Sequence, residues 1–377
     1  NKGIGEWTEH LPFQRGTSIS ASQDLIYCGT TTGLFTLNLK DNSISRYSTV
    51  NILNNISIEI VSYNEDQKAL LIIYEDFNID ILQNNSVINI PFIKDAALPN
   101  KIINEVYMKD QFAYVSTGFG IVKINLERKE ITETYQFGQN GQSISINSCV
   151  VTDRKIFAAS DAALYHADLS SNLLDFNAWN IIPTTSNRLF NKLFQFNSSI
   201  FAIESASSSN NVFEINNTLN LIPISELSSK KYVDVYSNAD NIFYLIENKL
   251  EVYDTSITLS KNFNKATGNQ VDFIYADNRY YFLNNFNPLL IFDNDGQLLQ
   301  SVKPRGPFQE DIFDIDVSDG VLWAVSGGHD GAYNNQNRNA RIYKYQDGSW
   351  TNYIEFSTPS LNGMYDVLSV NINPNNP

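Results

Sequence analysis

The amino-acid sequence predicts an all-β fold, a β-propeller built from four-stranded antiparallel blades. Three observations predict it: a repeat of about 43 residues, a period-two alternation of apolar and polar residues, and Asn- and Asp-rich turns between the alternating segments. Helical repeats have similar lengths, so the strand pattern decides between the two classes. A period of this length with four short strands per unit is typical of a propeller blade.

The repeat has eight copies, each with an apolar first strand, a polar turn and a second strand with a large apolar residue near its middle. These second-strand residues are Tyr27, Ile72, Tyr114, Phe157, Phe201, Phe243, Phe282 and Trp323. A third strand follows, and its alternation is clear at residues 34–39 and 122–126. A period of two places alternate side chains on opposite faces of a sheet, which indicates strands rather than helices.

The fourth strand of each unit is expected at the outer edge of its blade. Candidates lie at residues 43–50, 86–91, 130–137, 257–263 and 296–302. Their alternation is polar, and charged side chains on an edge strand block pairing with another molecule. Because a lone four-stranded sheet cannot bury both of its faces, the blades are expected to pack on one another with their aromatic residues in between.

The domain prediction is a seven-bladed propeller over residues 1–304, followed over residues 305–377 by the start of a second propeller or by ring-closing blades. Residues 6–11 resemble the fourth-strand segment 349–354, so they are expected to donate a closing strand. Residues 366–372 have the pattern of the first strand of a ninth blade. We therefore expect the sequence to be a fragment of a longer protein.

Charge and hydropathy argue against several kinds of partner. The chain has 26 Lys and Arg against 41 Asp and Glu, a formal net charge of −15. An acidic surface repels phosphate backbones, so no nucleic-acid partner is expected. No stretch approaches the roughly 20 apolar residues of a membrane span, so no transmembrane segment is expected either. The chain opens on Asn1 rather than Met, which is compatible with a removed signal peptide and equally with a fragment boundary.

Residues with catalytic or metal-binding chemistry are scarce. The cysteines and histidines are Cys28, Cys149, His10, His166 and His329. No two histidines have metal-ligand spacing, and no nucleophile or phosphate-binding motif is present. We therefore predict no catalytic residue, no metal and no cofactor. Each cysteine lies in an apolar strand-like run, so both thiols are predicted to be buried and free.

The most unusual segment is an insertion at residues 327–340, which interrupts the last repeat. It collects His329, Asp330, Tyr333 and Arg338 between glycines. Loops on rigid scaffolds often carry function, so these four residues are the candidate binding residues. The alternative is a surface loop that crosses to a neighbouring propeller.

Several phrases in order resemble the PorZ-type proteins of the Bacteroidetes type IX secretion system. They are GEWTEHLPF at 5–13, YCGTTTGLFTLNLKDNSISRYS at 27–48, STGFGIVKINLERKEITETYQFGQNG at 116–141, LWAVSGGHDGAYNN at 322–335 and SVNINPNNP at 369–377. The resemblance runs along essentially the whole chain and is weakest in the middle repeats. None of these phrases is a catalytic motif, and no binding residue of the family can be transferred through them.

The resemblance implies a non-enzymatic scaffold or adaptor of the attachment complex, exported to the periplasm or cell surface and associated with the outer membrane. In that family two seven-bladed propellers precede a small β-sandwich. The implied partners are the sortase-like peptidase PorU, the outer-membrane barrel PorV and anionic lipopolysaccharide. On this resemblance the sequence is expected to include only the start of the second propeller and none of the β-sandwich, so sites located there are not implied.

Two other functions remain open from the sequence. One is the periplasmic sensor propeller of a carbohydrate-responsive two-component regulator, since such sensors share the same blade pattern. The other is a propeller lyase or glycosidase. An enzyme of that kind needs carboxylates or histidines that converge on the central channel, and the sequence offers no identifiable set.

Overall fold

The computed structural model describes residues 8–207, 209–246, 249–264, 270–284 and 288–373. Within these residues the strands form eight four-stranded antiparallel sheets, each made from four consecutive strands of the chain. Helical structure in the described residues is limited to one turn of α-helix, α1 (Phe92–Asp95), and the 3₁₀ turns Gln139–Gly141, Phe176–Ala178 and Pro359–Leu361. The predicted all-β fold of four-stranded antiparallel sheets is confirmed.

The first four sheets follow one another along the chain. Sheet 1 contains β1 (Gly16–Ala21), β2 (Leu25–Thr30), β3 (Gly33–Asn38) and β4 (Ile44–Tyr47). Sheet 2 contains β5 (Ile58–Asn64), β6 (Ala69–Tyr74), β7 (Ile79–Gln83) and β8 (Ser86–Ile90). Sheet 3 contains β9 (Ile103–Lys109), β10 (Phe112–Thr117), β11 (Gly120–Asn125) and β12 (Glu130–Tyr135). Sheet 4 contains β13 (Ile146–Val151), β14 (Lys155–Ser160), β15 (Leu164–Asp168) and β16 (Asn180–Ile181).

The other four sheets repeat the same order. Sheet 5 contains β17 (Phe190–Phe196), β18 (Ser199–Ser205), β19 (Asn210–Ile215) and β20 (Leu221–Pro223). Sheet 6 contains β21 (Tyr232–Ser237), β22 (Ile242–Ile246), β23 (Lys249–Tyr253) and β24 (Leu259–Asn264). Sheet 7 contains β25 (Gln270–Ala276), β26 (Arg279–Asn284), β27 (Leu289–Phe292) and β28 (Leu298–Val302). Sheet 8 contains β29 (Ile312–Ser318), β30 (Val321–Ser326), β31 (Arg341–Gln346) and β32 (Ser349–Tyr353).

A β-bulge lies at the second residue of the first strand in every sheet. The bulged residues are Thr17, Glu59, Asn104, Asn147, Asn191, Val233, Val271 and Phe313. A bulge inserts one residue opposite the partner strand and re-aims the side chains beside it. The residue that follows the bulge therefore occupies a structurally equivalent position in all eight sheets.

Apolar clusters fill the space between neighbouring sheets. Sheet 1 packs on sheet 2 and also on sheet 7, where Ile19, Cys28 and Phe35 share one buried cluster with Tyr281 and Leu283. Full burial of one large apolar side chain contributes about 1.5–3 kcal/mol, so such clusters are the main force between sheets. Both cysteines are buried and unpaired, as predicted.

Sheet 8 is packed differently from the other seven. Ile315 is 56% exposed and Val317 is 59% exposed, whereas Ile19, at the position of sheet 1 equivalent to Ile315, is 7% exposed. Among the described residues, none from sheet 8 belongs to the buried clusters that join the other sheets. Sheet 8 instead contacts the segment before β1, where the His10 ring packs 4.6 Å from Tyr345 and 5.4 Å from Trp350.

Two segments that were expected to be strands are not. Residues 8–14 form no strand, and the rest of the proposed closing strand, Glu6 and Trp7, lies outside the described residues. Sheet 1 needs no donated strand because β4 already supplies its outer edge. Residues 366–372 form no strand either: the backbone N–H groups of Val370 and Ile372 donate to the side chains of Asp314 and Asp316, at 3.0 and 2.6 Å, instead of to a strand ladder.

Candidate functional site: the inserted loop and the central channel

The inserted loop joins β30 to β31, as the sequence predicted, and Asp330 organises it. The Asp330 carboxylate accepts hydrogen bonds from the N–H groups of Ala332 and Asn334, at 2.8 and 2.9 Å, and from the Asn334 side chain at 3.0 Å. These hydrogen bonds, that of the Asn334 side chain first, lower the pKa of Asp330. The carboxylate is therefore an anion engaged in holding the turn, which leaves it little capacity for a ligand.

His329 and Tyr333 form the exposed surface of the same loop. Their ring centroids lie 4.5 Å apart, and the His329 ring also packs 5.3 Å from that of Phe313 on β29. Tyr333 is 79% exposed. Exposed aromatic side chains with fixed neighbours are suitable anchors for a protein partner, because they bury much area at low entropic cost.

Arg338 lies apart from the other three predicted residues. Its guanidinium donates to the carbonyl of Gly327 at 3.3 Å, and its backbone N–H donates to Asp366. It lines a cavity of about 530 Å³ together with Arg15 and Arg341. The structure thus brings His329, Asp330 and Tyr333 together and directs Arg338 elsewhere.

A second candidate site is a cavity of about 890 Å³ among the first seven sheets. Its lining comes from the first strands of six of them, β1, β5, β9, β17, β21 and β25. We call this cavity the channel and the residues that follow the bulges the polar tier, and those of β1, β5, β9, β17, β21 and β25 line the channel. In the first seven sheets the polar tier consists of Ser18, Ile60, Glu105, Ser148, Lys192, Asp234 and Asp272.

Lys192 is the cation of the polar tier. Its Nζ lies 2.5 Å from a carboxylate oxygen of Glu105 and 3.6 Å from one of Asp234. Burial by itself would lower the pKa of Lys192, but the charges of Glu105 and Asp234 outweigh it and hold the pKa above its ordinary value. One lysine therefore joins the first strands of sheets 3, 5 and 6.

Asp272 joins sheet 7 to sheet 1. Its carboxylate accepts hydrogen bonds from the N–H groups of Ile19, at 2.9 Å, and Phe273, at 2.8 Å, and from the Ser18 hydroxyl at 3.2 Å. Burial, with a further contribution from the charge of Asp234, raises the pKa of Asp272 to about 7. This carboxyl group consequently changes protonation near neutral pH.

Carboxylates thus converge on the channel, which the sequence reading missed. A signal was present, because Glu105 and Asp234 each lie nine residues before the second-strand residue that marks their repeat. The spacing alone did not reveal the site, since the same position holds serine, lysine or isoleucine in other repeats. Among the described residues, no group of three or more His, Cys, Asp or Glu side chains has the geometry to hold a metal ion. In the same part of the chain, no helix is long and apolar enough to cross a membrane.

The first part of the chain is similar to a known protein family. Residues 26–180 match the family model described as TSS9, PorZ, N-terminal beta-propeller domain. The resemblance to the PorZ-type proteins is confirmed. No match was found among curated protein sequences.

Solved structures with a TM-score above 0.5 share the fold of this chain. The structure of PorZ from Porphyromonas gingivalis, described as an essential bacterial surface component of the type-IX secretion system, matches with a TM-score of 0.77 and 19% identity. The match covers 94% of this chain but 47% of PorZ, so this chain spans about half the length of that protein. The β-propeller domain of Cps50 (Swd1) from Myceliophteria thermophila matches with a TM-score of 0.53 and 10% identity, over 72% of this chain and 94% of that one. BamB from Moraxella catarrhalis has a TM-score of 0.47 and 14% identity, over 74% and 84% of the two chains.

Proposed function

We propose that this chain is part of a non-catalytic scaffold of the type IX secretion system, exported and associated with the outer membrane. The match of residues 26–180 to the PorZ propeller family carries this proposal. The partners proposed from the family resemblance are the sortase-like peptidase PorU, the outer-membrane barrel PorV and lipopolysaccharide. A propeller suits such a role because its rigid sheets hold loops such as the His329–Tyr333 pair in fixed positions.

We further propose that sheets 1–7 form one seven-bladed ring and that sheet 8 begins a second propeller. Support for the ring comes from the contact of sheet 1 with sheet 7. Support for the second propeller comes from a repeated hydrogen bond: the Leu193 N–H donates to Ser148 of the preceding sheet at 2.9 Å, and the Val370 N–H donates to Asp314, the equivalent residue of sheet 8, at 3.0 Å. Residues 366–373 thus lie where the first strand of a following blade would lie.

The same contacts favour a non-enzymatic role for the channel. A hydrolase needs carboxyl groups that are free to reach a substrate. Here Glu105 and Asp234 pair with Lys192, and Asp272 accepts hydrogen bonds from two backbone N–H groups. These groups hold sheets to one another. Incubation of the protein with panels of glycans, followed by product analysis, checks this, and turnover that is lost in an Asp272→Asn variant would contradict it.

The scaffold role is tested by affinity purification of the full-length tagged protein from native membranes in mild detergent. We expect quantitative mass spectrometry to find the sortase-like peptidase and the outer-membrane barrel enriched over a tagged, unrelated surface protein of equal abundance. Recovery of no type IX component above that control would remove the main support for the proposal. Binding to purified lipopolysaccharide is measured separately, because it can fail while the protein contacts persist.

A further inference from the structure

A cleft of about 460 Å³ lies where sheet 8 meets sheet 1, and we call it the junction cleft. Its walls come from β4 of sheet 1, from Thr8 and His10 before β1, from the linker between sheets 7 and 8, and from the outer hairpin of sheet 8. The charged and large apolar lining residues are Ile44, Arg46, Lys303, Arg305, Tyr345 and Trp350. Its volume falls within the range of about 300–1,000 Å³ that is usual for ligand sites, which favour domain junctions.

The junction cleft is cationic although the protein as a whole has a net charge of −15. Arg46 pairs loosely with Glu9, at 3.5 Å, and donates to the carbonyl of Arg305 at 3.2 Å. Within the described part of the chain, neither Arg305 nor Lys303 has a carboxylate within ion-pair distance. Of these three basic residues, only Arg46 is therefore paired with a carboxylate in the described part of the chain.

The hydrogen-bond partners of the Lys303 ammonium group are neutral. This group donates to the side chain of Gln14 and to the carbonyl of Phe308. Burial lowers the pKa of Lys303 to about 8, since no anion compensates for the lost hydration. An anion in the cleft would restore that compensation.

Beside the polar residues Thr8, His10 and Asn42, the junction cleft also presents apolar and aromatic side chains. Ile44 is exposed on β4, and the Tyr345 and Trp350 rings lie 5.1 Å apart on sheet 8. Both β4 and β32, which carries Trp350, are the outer strands of their sheets, so each has an edge unpaired within its sheet. An extended peptide uses such edges, apolar side chains and arginine forks together, whereas a small inorganic anion uses only the charge.

We propose that the junction cleft binds an acidic peptide segment of a partner protein, in which carboxylates alternate with apolar side chains. Carboxylates would pair with Arg46 and Arg305, and apolar side chains would pack on Ile44 and Trp350. This inference does not rest on the secretion role, because peptide binding can succeed or fail in vitro whichever complex contains the chain.

The test is fluorescence anisotropy of a labelled, end-blocked octapeptide of alternating Asp and Leu, titrated with the whole chain. We expect the Arg46→Ala/Arg305→Ala variant to bind at least about tenfold more weakly, since two charge-assisted contacts are lost. Trp350→Ala should also weaken binding. The matched control is Arg154→Ala, which removes an exposed arginine from a distant turn and should leave the affinity unchanged. Thermal unfolding of each variant establishes that it is folded.

Three results would overturn the proposal. One is equal binding by the wild type and by a folded Arg46→Ala/Arg305→Ala variant. Another is that the peptide with Asn in place of Asp binds the wild type as tightly as the Asp-containing peptide does. The third is displacement of the peptide by inorganic phosphate or by phosphatidylglycerol vesicles at matched charge concentration, since that would make the cleft a general anion or lipid site.

Discussion

At the residue scale, one backbone position does different chemistry in different sheets. The residue that follows the bulge is a hydroxyl acceptor in Ser148, a carboxylate acceptor in Asp272 and an ammonium group in Lys192. In each case the side chain bonds to another sheet across the channel wall. The bulge positions the residue that follows it, and the side chain of that residue makes the contact with the other sheet.

Replacement of Lys192 by Met is expected to destabilise the fold by about 2–4 kcal/mol, because it leaves Glu105 and Asp234 without their cation. Urea unfolding measures the change. The matched control is Lys155→Met, which breaks an ion pair to Asp168 at the surface and should cost about 0–1 kcal/mol. Equal effects of the two variants would mean that the channel lysine is no more important than a surface one.

Asp272 gives the stability a predictable pH dependence. Its pKa rises from 3.8 to about 7 on folding, so the folded state binds the proton more tightly than the unfolded state does. The resulting stabilisation is fully present below pH 3.8 and is lost as the pH rises through 7.

An Asp272→Asn variant has no such proton. We therefore expect the wild type to lose stability relative to the variant as the pH rises from 5 to 8, by unfolding free energies measured in urea at each pH. The lost carboxylate hydrogen bonds add an offset that does not vary with pH, so the slope is the readout. A difference between the two proteins that stays constant over this range contradicts the raised pKa.

The polar tier also shows the limit of reading residues from the sequence. Glu105 and Asp234 were visible as acidic residues, but their common partner Lys192 belongs to another repeat. Such a contact depends on how sheets are placed around a channel, and repeat spacing does not report it. The inserted loop was easier to predict because it breaks the repeat locally. The sequence does not reveal which way each side chain of the loop turns: the His329 ring packs on Tyr333, whereas the Arg338 guanidinium donates to the carbonyl of Gly327.

At the element scale, the sequence predicted strands well where a full repeat was present. The fourth strands β4, β8, β12, β24 and β28 lie within one to three residues of their predicted bounds. The strand predictions at residues 6–11 and 366–372 were less successful. An alternation of apolar and polar residues indicates a segment with two different faces, but it does not show that a neighbouring strand is available to pair with it. Residues 366–372 instead bond to side chains of β29.

The hydrogen bonds from residues 366–372 to β29 can be removed by substituting their acceptors. The variant Asp314→Ala/Asp316→Ala takes away the acceptors of the Val370 and Ile372 N–H groups. We expect hydrogen exchange at these two amides to accelerate roughly tenfold or more, since a charge-assisted hydrogen bond contributes about 1.5–3 kcal/mol. The control is Asp319→Asn in the β29–β30 turn, which should leave both rates unchanged. Unaltered exchange in the double variant would show that other contacts hold the segment.

At the scale of the whole molecule, the sheets differ in how they are covered. Sheets 1–7 share buried clusters in succession, and sheet 1 meets sheet 7. Sheet 8 leaves Ile315 and Val317 exposed, and its contacts with the rest of the chain include the packing of Trp350 on His10. Cooperative unfolding is expected for the first seven sheets and independent opening for the eighth.

Hydrogen exchange followed by mass spectrometry measures this difference. Residues 312–353 should exchange faster than the second strands of sheets 1–7, and Trp350→Ala should accelerate residues 312–353 further, because it removes the ring that packs on His10. The rest of the protein should be unaffected in that variant. Uniform protection across all eight sheets would contradict independent opening.

The central structural claim is that seven sheets close around one channel with the eighth outside. The most direct test is an experimental structure of this chain, by crystallography or electron microscopy, in which the sheets are counted around the channel. We expect seven, with Ile19 and Leu283 in one buried cluster and the Ile19 N–H bonded to Asp272. An eighth sheet inserted between sheets 7 and 1 would separate these residues and would rule out a seven-sheet ring.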